Sequence, residues 1–128
     1  MDKATLRQYR HLLREIDGLE REKKRVLDRY LAPPQPTGMP GGSGNPDRLG
    51  EVAARREKYQ RLIDEKLDQL IALRAEIEEA IAGLPSADRR LIRLRYIEGR
   101  SWQQIAFDLH YSVDWVKHRH GRILWRLR

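Results

Sequence analysis

Two long stretches in which apolar residues recur every three or four positions constrain this chain more than any other feature. In residues 47–84, nine of the eleven positions at this spacing are apolar or aromatic, which is typical of a helix with a coiled-coil seam. Residues 2–31 carry a second pattern of the same kind. The longer seam consists of Leu49, Val52, Arg56, Tyr59, Ile63, Lys66, Leu70, Leu73, Ile77, Ala80 and Leu84; the shorter consists of Leu6, Tyr9, Leu13, Ile16, Leu19 or Glu20, Lys23, Leu27 and Tyr30.

A segment rich in proline and glycine separates these two stretches. Nine of the fifteen residues from 32 to 46 are Pro or Gly, so the segment cannot form a helix and is predicted to be a linker. An antiparallel pair of helices asks the linker to span only about 10 Å, whereas a parallel pair would stretch it almost fully. The sequence therefore predicts an antiparallel helical hairpin over residues 1–84, formed within one chain or exchanged between two.

The last part of the chain predicts two short helices joined by a tight turn. Ser101 and Ser112 each precede an apolar pattern at helical spacing, and their hydroxyls can cap the helices that follow. The small side chain of Ala106 lets two helices approach closely, and the residues from His110 to Ser112 form the turn. We expect the second helix to bury Tyr111, Val116, Ile123, Leu124 and Leu127. This is the pattern of a helix-turn-helix.

A further helix is predicted just before this motif. Pro85 suits a helix start, and Gly99 suits a left-handed helix end. The sequence thus predicts an all-α protein with two parts, a helical hairpin at residues 1–84 and a helix-turn-helix domain at residues 85–128. The second part is so small that its hydrophobic core alone would give it only marginal stability. We therefore expect it to need packing from the preceding helix or from a partner.

The second helix of the motif carries polar and basic residues away from its apolar side. A helix-turn-helix places this helix in the major groove of double-stranded DNA, where side-chain donors and acceptors meet base edges. We expect Lys117 and His118 to donate to bases and Asp114 to accept, while basic side chains bind phosphates. The predicted DNA-binding residues are Ser112, Val113, Asp114, Trp115, Lys117, His118, Arg119, Arg122, Arg126 and Arg100, of which the four arginines are assigned to phosphates.

The charge of the chain supports this interpretation because it is unevenly spread. The formal net charge is +7, of which residues 1–84 contribute +1 and residues 85–128 contribute +6. A basic domain of this kind is typical of nucleic-acid binding. A protein that is merely basic and soluble would spread the charge evenly.

Residues 84–128 resemble region four of bacterial sigma factors, the part that binds promoters. Taken over its whole length, the chain resembles the RinA/ArpU-like group of small phage proteins, which are implicated in late-gene transcription. The resemblance implies base and backbone contacts from Val113, Asp114, Lys117 and His118. Sigma factors usually have Arg, Glu, Gly and an apolar residue where this chain has Val113, Asp114, His110 and Arg119. The matching pieces are Leu91 to Tyr96, Glu98-Gly99, Ile105-Ala106, Tyr111-Ser112, Val116, Leu124 and Leu127.

Several classes of function are not expected from this sequence. The chain has no cysteine, so disulfides and thiolate metal sites are excluded. His118 and His120 are two residues apart on a helix and cannot chelate one metal together. No catalytic constellation, cofactor or metal site is expected, and the protein is predicted not to be an enzyme. Without a long apolar run or a signal peptide, we expect a cytoplasmic protein in a bacterial host cell, associated with the nucleoid and not with a membrane.

Three functions remain open at this point. The first is a sequence-specific transcriptional regulator, probing promoters with the helix-turn-helix while the long helices form a homodimer or contact RNA polymerase. The second is a DNA-packaging recognition subunit similar to small terminase proteins, which also join a helix-turn-helix to helical oligomerisation segments. The third is an adaptor whose helix-turn-helix binds another protein.

Overall fold

The computed structural model describes residues 1–31 and 46–128, and every regular element in them is helical. The prediction of an all-α fold is confirmed for these residues. The predicted linker lies outside the described residues, apart from Pro46, which begins the second helix. The elements are α1 (Lys3–Leu31), α2 (Pro46–Ile81), α3 (Ser86–Ile92), a π-helical turn (Arg93–Ile97), α4 (Trp102–Leu109) and α5 (Val113–Arg126).

The chain divides into two compact units. One, here called the hairpin unit, consists of residues 14–68. The other, here called the helix-turn-helix unit, consists of residues 1–13 and 69–128. The second unit is larger than the predicted domain of residues 85–128, because the start of α1 and the end of α2 contribute to its core.

The two helical segments of the hairpin unit are antiparallel, as predicted. Lys66 forms an ion pair with Glu15 at 2.8 Å, and the Lys23 ammonium donates to the Gln60 side chain at 2.6 Å. A third contact joins Arg48 to the backbone carbonyl of Arg29 at 3.3 Å. Across these three contacts the residue numbers rise along α1 and fall along α2, so the two segments run in opposite directions.

The helix-turn-helix unit has a continuous apolar core drawn from all its elements. The Arg10 guanidinium of α1 donates to the carbonyl oxygen of Ile97 at 3.1 Å and so fixes α1 beside the π-helical turn. α1 and α2 both contribute buried residues to this core, so the small domain does receive packing from the helices before it. Its buried apolar residues are Leu6, Tyr9, Leu12, Leu70, Ile77, Ile81, Leu84, Leu91, Ile92, Leu94, Tyr96, Ile105, Ala106, Val116, Ile123 and Leu127.

The helix ends of this unit follow the sequence closely. Ser101 accepts from the backbone N–H of Gln104 at 3.2 Å while the Gln104 side chain accepts from the Ser101 N–H, a reciprocal capping box. Ser112 accepts from the backbone N–H of Trp115 at 3.1 Å and caps α5. Gly99 and His110 both adopt left-handed backbone conformations, with φ of 69° and 61°. All four positions confirm their predicted roles, including His110 at the place where sigma factors usually have glycine.

The π-helical turn was not predicted. The backbone N–H of Glu98 donates to the carbonyl of Arg93 at 2.9 Å, five residues back, where an α-helix would pair residues four apart. The wider turn carries Leu94 and Tyr96, both buried. It thereby brings the Tyr96 ring into the core beside α5.

Candidate nucleic-acid interface

The α5 helix has one buried face and one outward face. Val116, His120, Ile123 and Leu127 are buried. The opposite face, by the periodicity of the helix, carries Asp114, His118, Gly121 and Trp125, all of which are exposed. The burial of the first set shows which side of α5 faces the core, and hence which side chains point outward.

The outward face and its edges contain most of the predicted DNA-binding residues. Asp114, Lys117, His118, Arg122 and Arg126 are exposed. Asp114 lies in the first turn of α5, where the helix dipole stabilises a negative charge.

Two further predicted residues are less free to contact a ligand. Val113 is half-buried, and the hydroxyl of Ser112 is used as the cap of α5. Both lie at the start of α5, next to Asp114.

An aromatic pair lies at the start of α5. The rings of Tyr111 and Trp115 are stacked, with centroids 3.7 Å apart and planes inclined by 13°. The prediction that Tyr111 is buried is wrong, since 52% of it is exposed. Its partner is the neighbouring indole, four residues on, and not the core. Trp115, one of the predicted DNA-binding residues, is also exposed, with 40% of its surface accessible.

Arg119 has a partner that the sequence analysis did not predict. Its guanidinium donates two hydrogen bonds to the carboxylate of Asp88 on α3, from Nε to Oδ1 at 2.8 Å and from Nη2 to Oδ2 at 2.7 Å. Asp88 is buried, with 3% of its surface exposed. Arg119 was expected to bind phosphates, but its charge is already satisfied within the fold. Arg119 therefore does not belong to the candidate DNA-binding surface.

Arg100 lies apart from the α5 residues. It precedes α4 and lines a groove of about 650 Å³ with Arg90, Arg93 and Asp108, among others, and no α5 residue lines that groove. Within the same groove, Arg93 forms a two-pronged ion pair with Glu78 at 2.9 and 2.6 Å. The hydrogen bonds from Arg93 lower the pKa of the Glu78 carboxyl.

Trp125 is an exposed residue of the outward face that the sequence analysis did not select. It is 69% exposed, and it lines a groove of about 440 Å³ between α3 and α5 together with Arg122 and Arg126. The helical spacing from His118 through Gly121 to Trp125 was a usable signal, because these residues are three and four positions apart. Trp125 was overlooked because an exposed indole is hard to tell from a core residue by sequence.

The inner face of α5 contains a buried histidine. Nε2 of His120 lies 2.6 Å from the hydroxyl of Tyr96, and its ring meets that of Trp102 edge-on at 4.8 Å. Burial lowers the pKa of His120 to about 4, and the positive charges of Lys3, Arg95 and Arg7 act in the same direction. His120 is therefore neutral at physiological pH, and it joins α5 to α4 and the π-helical turn.

In residues 1–31 and 46–128, no group of three or more His, Cys, Asp or Glu side chains is placed to hold a metal ion. None of the helices described is both long enough and apolar enough to cross a membrane.

Residues 74–127 match the sequence model of the family described as Sigma-70, region 4. No curated protein and no solved structure matches the chain. The match begins within α2, upstream of the predicted boundary at residue 85, and agrees with the helix-turn-helix unit in including the end of that helix. The C-terminal part of this chain is therefore a helix-turn-helix similar to region 4 of sigma-70 factors, a DNA-binding type of module.

Proposed function

We propose that this protein is a sequence-specific DNA-binding transcriptional regulator of the phage type that acts at promoters. The observation that carries the proposal is the outward face of α5, where exposed polar and basic side chains lie opposite an apolar buried face. The match to sigma-70 region 4 and the charge of +6 on residues 85–128 support it. The protein would act without catalysis, metal or cofactor.

The exposed residues of α5 divide into two roles under this proposal. Asp114, Lys117 and His118 lie in the N-terminal half of the helix, the half that reaches base edges when a recognition helix enters the major groove. Arg122 and Arg126 lie further along and bind phosphates, which contribute affinity without sequence information. Trp115 and Trp125 would pack against the sugar-phosphate backbone.

Selection of duplexes from a randomised library by the purified protein tests this proposal. We expect enrichment of one short sequence, for which Lys117→Ala and His118→Ala each lower preference over random duplex. Arg122→Ala and Arg126→Ala should weaken binding to both duplexes nearly equally. Recovery of the library without enrichment would contradict sequence-specific binding. Equal losses on both duplexes for Lys117→Ala and His118→Ala would contradict the division of roles.

We also propose that the hairpin unit mediates homodimerisation, with RNA polymerase as the alternative partner. Leu31, Leu49, Leu62 and Leu67 are exposed on this unit, whereas Ile63 is its one buried apolar residue among those described. Two helices alone bury little apolar surface, and pairing with a second hairpin would cover more. A dimer would also present two recognition helices to two half-sites.

The mass of the protein in solution distinguishes these assemblies. Light scattering coupled to size-exclusion chromatography should give a dimer that dissociates in the Leu62→Glu, Leu67→Glu variant. A ring of eight or more subunits would instead favour a DNA-packaging subunit. A monomer that binds polymerase would favour the alternative partner, and binding of a protein partner unaffected by Lys117→Glu with Arg122→Glu would favour an adaptor.

A further inference from the structure

A buried ion pair joins the recognition helix to α3. Both hydrogen bonds between Asp88 and Arg119 are short, at 2.8 and 2.7 Å, and the carboxylate is almost completely buried. The side chain of Arg119 is itself only 31% exposed. A carboxylate in such a place is strongly destabilising unless a partner satisfies it, so the pair constrains both helices.

The two-pronged geometry of this pair fixes an orientation as well as a distance. Two parallel N–H to oxygen bonds hold the guanidinium plane against the carboxylate plane, which a single contact would not do. Arg119 lies on α5 at the border between the buried and outward faces, directly after Lys117 and His118. A rotation of α5 about its axis would move Arg119 off Asp88 and, in the same motion, turn Lys117 and His118 away from the outward direction.

The apolar contacts of α5 determine which side of the helix faces the core, but they restrain small rotations about its axis less strongly than directional contacts do. Val116, Ile123 and Leu127 are held by non-directional packing, which tolerates repacking at modest cost. Among the described residues, the side-chain hydrogen bonds that join α5 to other elements are the Asp88 pair and the contact of His120 with Tyr96, one on each side of the apolar face. Of these two contacts, the Asp88 pair lies closer along the chain to Lys117 and His118. It is formed by Arg119, the residue directly after His118, so it constrains the direction of these two side chains more closely.

We propose that Asp88, acting through Arg119, is a positioning residue that sets the orientation of α5 for base recognition. The inference rests on the proposed DNA-binding function and assigns Arg119 a role different from the phosphate contact predicted from sequence. Asp88 itself does not touch DNA. Loss of the pair should therefore reduce discrimination between sequences more than it reduces binding to DNA in general.

Arg119→Lys is the most informative variant because it keeps the positive charge and removes the fork. A lysine ammonium is a point charge that cannot hold the two-pronged geometry. Asp88→Asn is the second variant, which keeps the size of the side chain and removes its charge. Arg93→Lys is the matched control, since Arg93 forms the same kind of fork with Glu78 away from α5.

The affinity of each variant is measured by fluorescence anisotropy on the selected duplex and on a random duplex at one salt concentration. We expect Arg119→Lys and Asp88→Asn to lower the ratio of the two affinities by about tenfold, the size of one lost base contact. Affinity for random duplex should change by less than about twofold for Arg119→Lys, because the charge is retained. Arg93→Lys should leave the ratio unchanged.

The outcomes distinguish failure of the proposed DNA-binding function from failure of the positioning role alone. If the wild-type protein does not discriminate between the duplexes, the proposed function fails and the positioning role fails with it. If the wild type discriminates and Arg119→Lys does so equally well while folded by circular dichroism, the positioning role alone is overturned. An equal loss on both duplexes for Arg119→Lys would show that the pair supports DNA binding in general, and it would also overturn the positioning role. If Asp88→Asn does not fold, Arg119→Lys alone tests the positioning role, because the partly exposed position of Arg119 tolerates the exchange.

Discussion

The two compact units of this chain are built from the same kind of element but are specified in different ways. In the helix-turn-helix unit, apolar side chains from every helix are buried together, and capping residues, a buried histidine and two ion-pair forks fix the helix directions. In the described part of the hairpin unit, Ile63 alone is buried, and polar pairs such as Lys66 with Glu15 define the antiparallel pairing. The difference indicates that the helix-turn-helix unit is specified by a shared apolar core, whereas the described part of the hairpin unit is specified mainly by polar pairs at its surface.

The two units can be followed separately in solution. All three tryptophans, Trp102, Trp115 and Trp125, belong to the helix-turn-helix unit, so their fluorescence reports that unit alone. Circular dichroism at 222 nm reports the helices of both units. The comparison between the units leads to four predictions, given from the largest expected effect to the smallest.

Truncation of a core residue should affect the two units very differently. Ile123 is 1% exposed, and Ile123→Ala should lower the free energy of unfolding of the helix-turn-helix unit by about 2–5 kcal/mol. Leu27→Ala in the hairpin unit removes a half-exposed side chain and should cost about 1 kcal/mol or less. Denaturant unfolding followed by tryptophan fluorescence measures the first change. Equal losses for both variants would contradict the contrast between the units.

The stability of the helix-turn-helix unit should fall in mild acid. His120 has a folded pKa of about 4 and an ordinary value of 6.5, so the unfolded chain takes up a proton over this range before the folded chain does. The stabilisation present above pH 6.5 is therefore lost as the pH falls toward 4, by about 2 kcal/mol between pH 7.5 and pH 5. Denaturant titrations followed by tryptophan fluorescence at the two pH values measure it.

His120→Gln provides the control for this pH dependence. The glutamine side chain does not titrate, so most of the difference between pH 7.5 and pH 5 should disappear in the variant, although the variant is less stable at both values. The hairpin unit contains no histidine, and its unfolding should change little over the same range. A wild-type protein equally stable at both pH values would show that His120 is not held neutral by the fold.

The N-terminal cap of α5 should make a moderate contribution to the stability of the helix-turn-helix unit. Ser112→Ala removes the acceptor for the Trp115 N–H and should cost about 1 kcal/mol of stability in the helix-turn-helix unit. Ser112→Asp keeps an acceptor at the same position and should restore most of the loss. Thermal unfolding monitored by tryptophan fluorescence compares the three proteins. Identical midpoints for wild type and Ser112→Ala would show that the cap contributes little.

The smallest expected effect on stability is that of Gly121→Ala, which should stabilise the fold but weaken DNA binding. Apart from the adjacent residues and the backbone of the same helix, no described atom lies within 4 Å of the position that a Cβ would take at Gly121 of α5 or at Gly18 of α1. Alanine favours a helix over glycine, so Gly121→Ala and Gly18→Ala should each stabilise their unit by about 0.5–1 kcal/mol. Gly121 lies on the outward face, where a methyl group obstructs close approach of DNA. We therefore expect weaker DNA binding for Gly121→Ala and unchanged binding for Gly18→Ala, measured by anisotropy; unchanged binding for both would place Gly121 outside the interface.

Local features of this fold were predictable from sequence, whereas contacts between distant residues were not. The caps at Ser101 and Ser112 and the left-handed residues Gly99 and His110 depend on neighbours within a few positions, so short patterns were sufficient. The Asp88 pair joins residues 31 positions apart, and nothing in the local sequence of Arg119 distinguishes it from a surface arginine. Apolar periodicity gave the wrong answer at Tyr111 because stacking on Trp115 satisfies the ring at the surface.

The same distinction between local and distant contacts applies to the boundaries of the helix-turn-helix unit. Periodicity located each helix but could not assign the beginning of α1 to the same core as α5. That assignment depends on tertiary contacts such as the one between Arg10 and the carbonyl of Ile97. The π-helical turn was likewise invisible to a search for regular spacing, since it departs from the α-helical period over a single turn.

The most direct test of the central claim is the salt dependence of DNA affinity for the selected and random duplexes. If α5 binds DNA with about six phosphate contacts, the logarithm of the affinity should fall with the logarithm of the salt concentration with a slope of about −5. The selected duplex should remain the tighter ligand at every salt concentration, and Arg126→Ala should reduce the slope by about one. Affinity that is absent, or that does not change with salt, would contradict the assignment of α5 as a DNA-recognition helix.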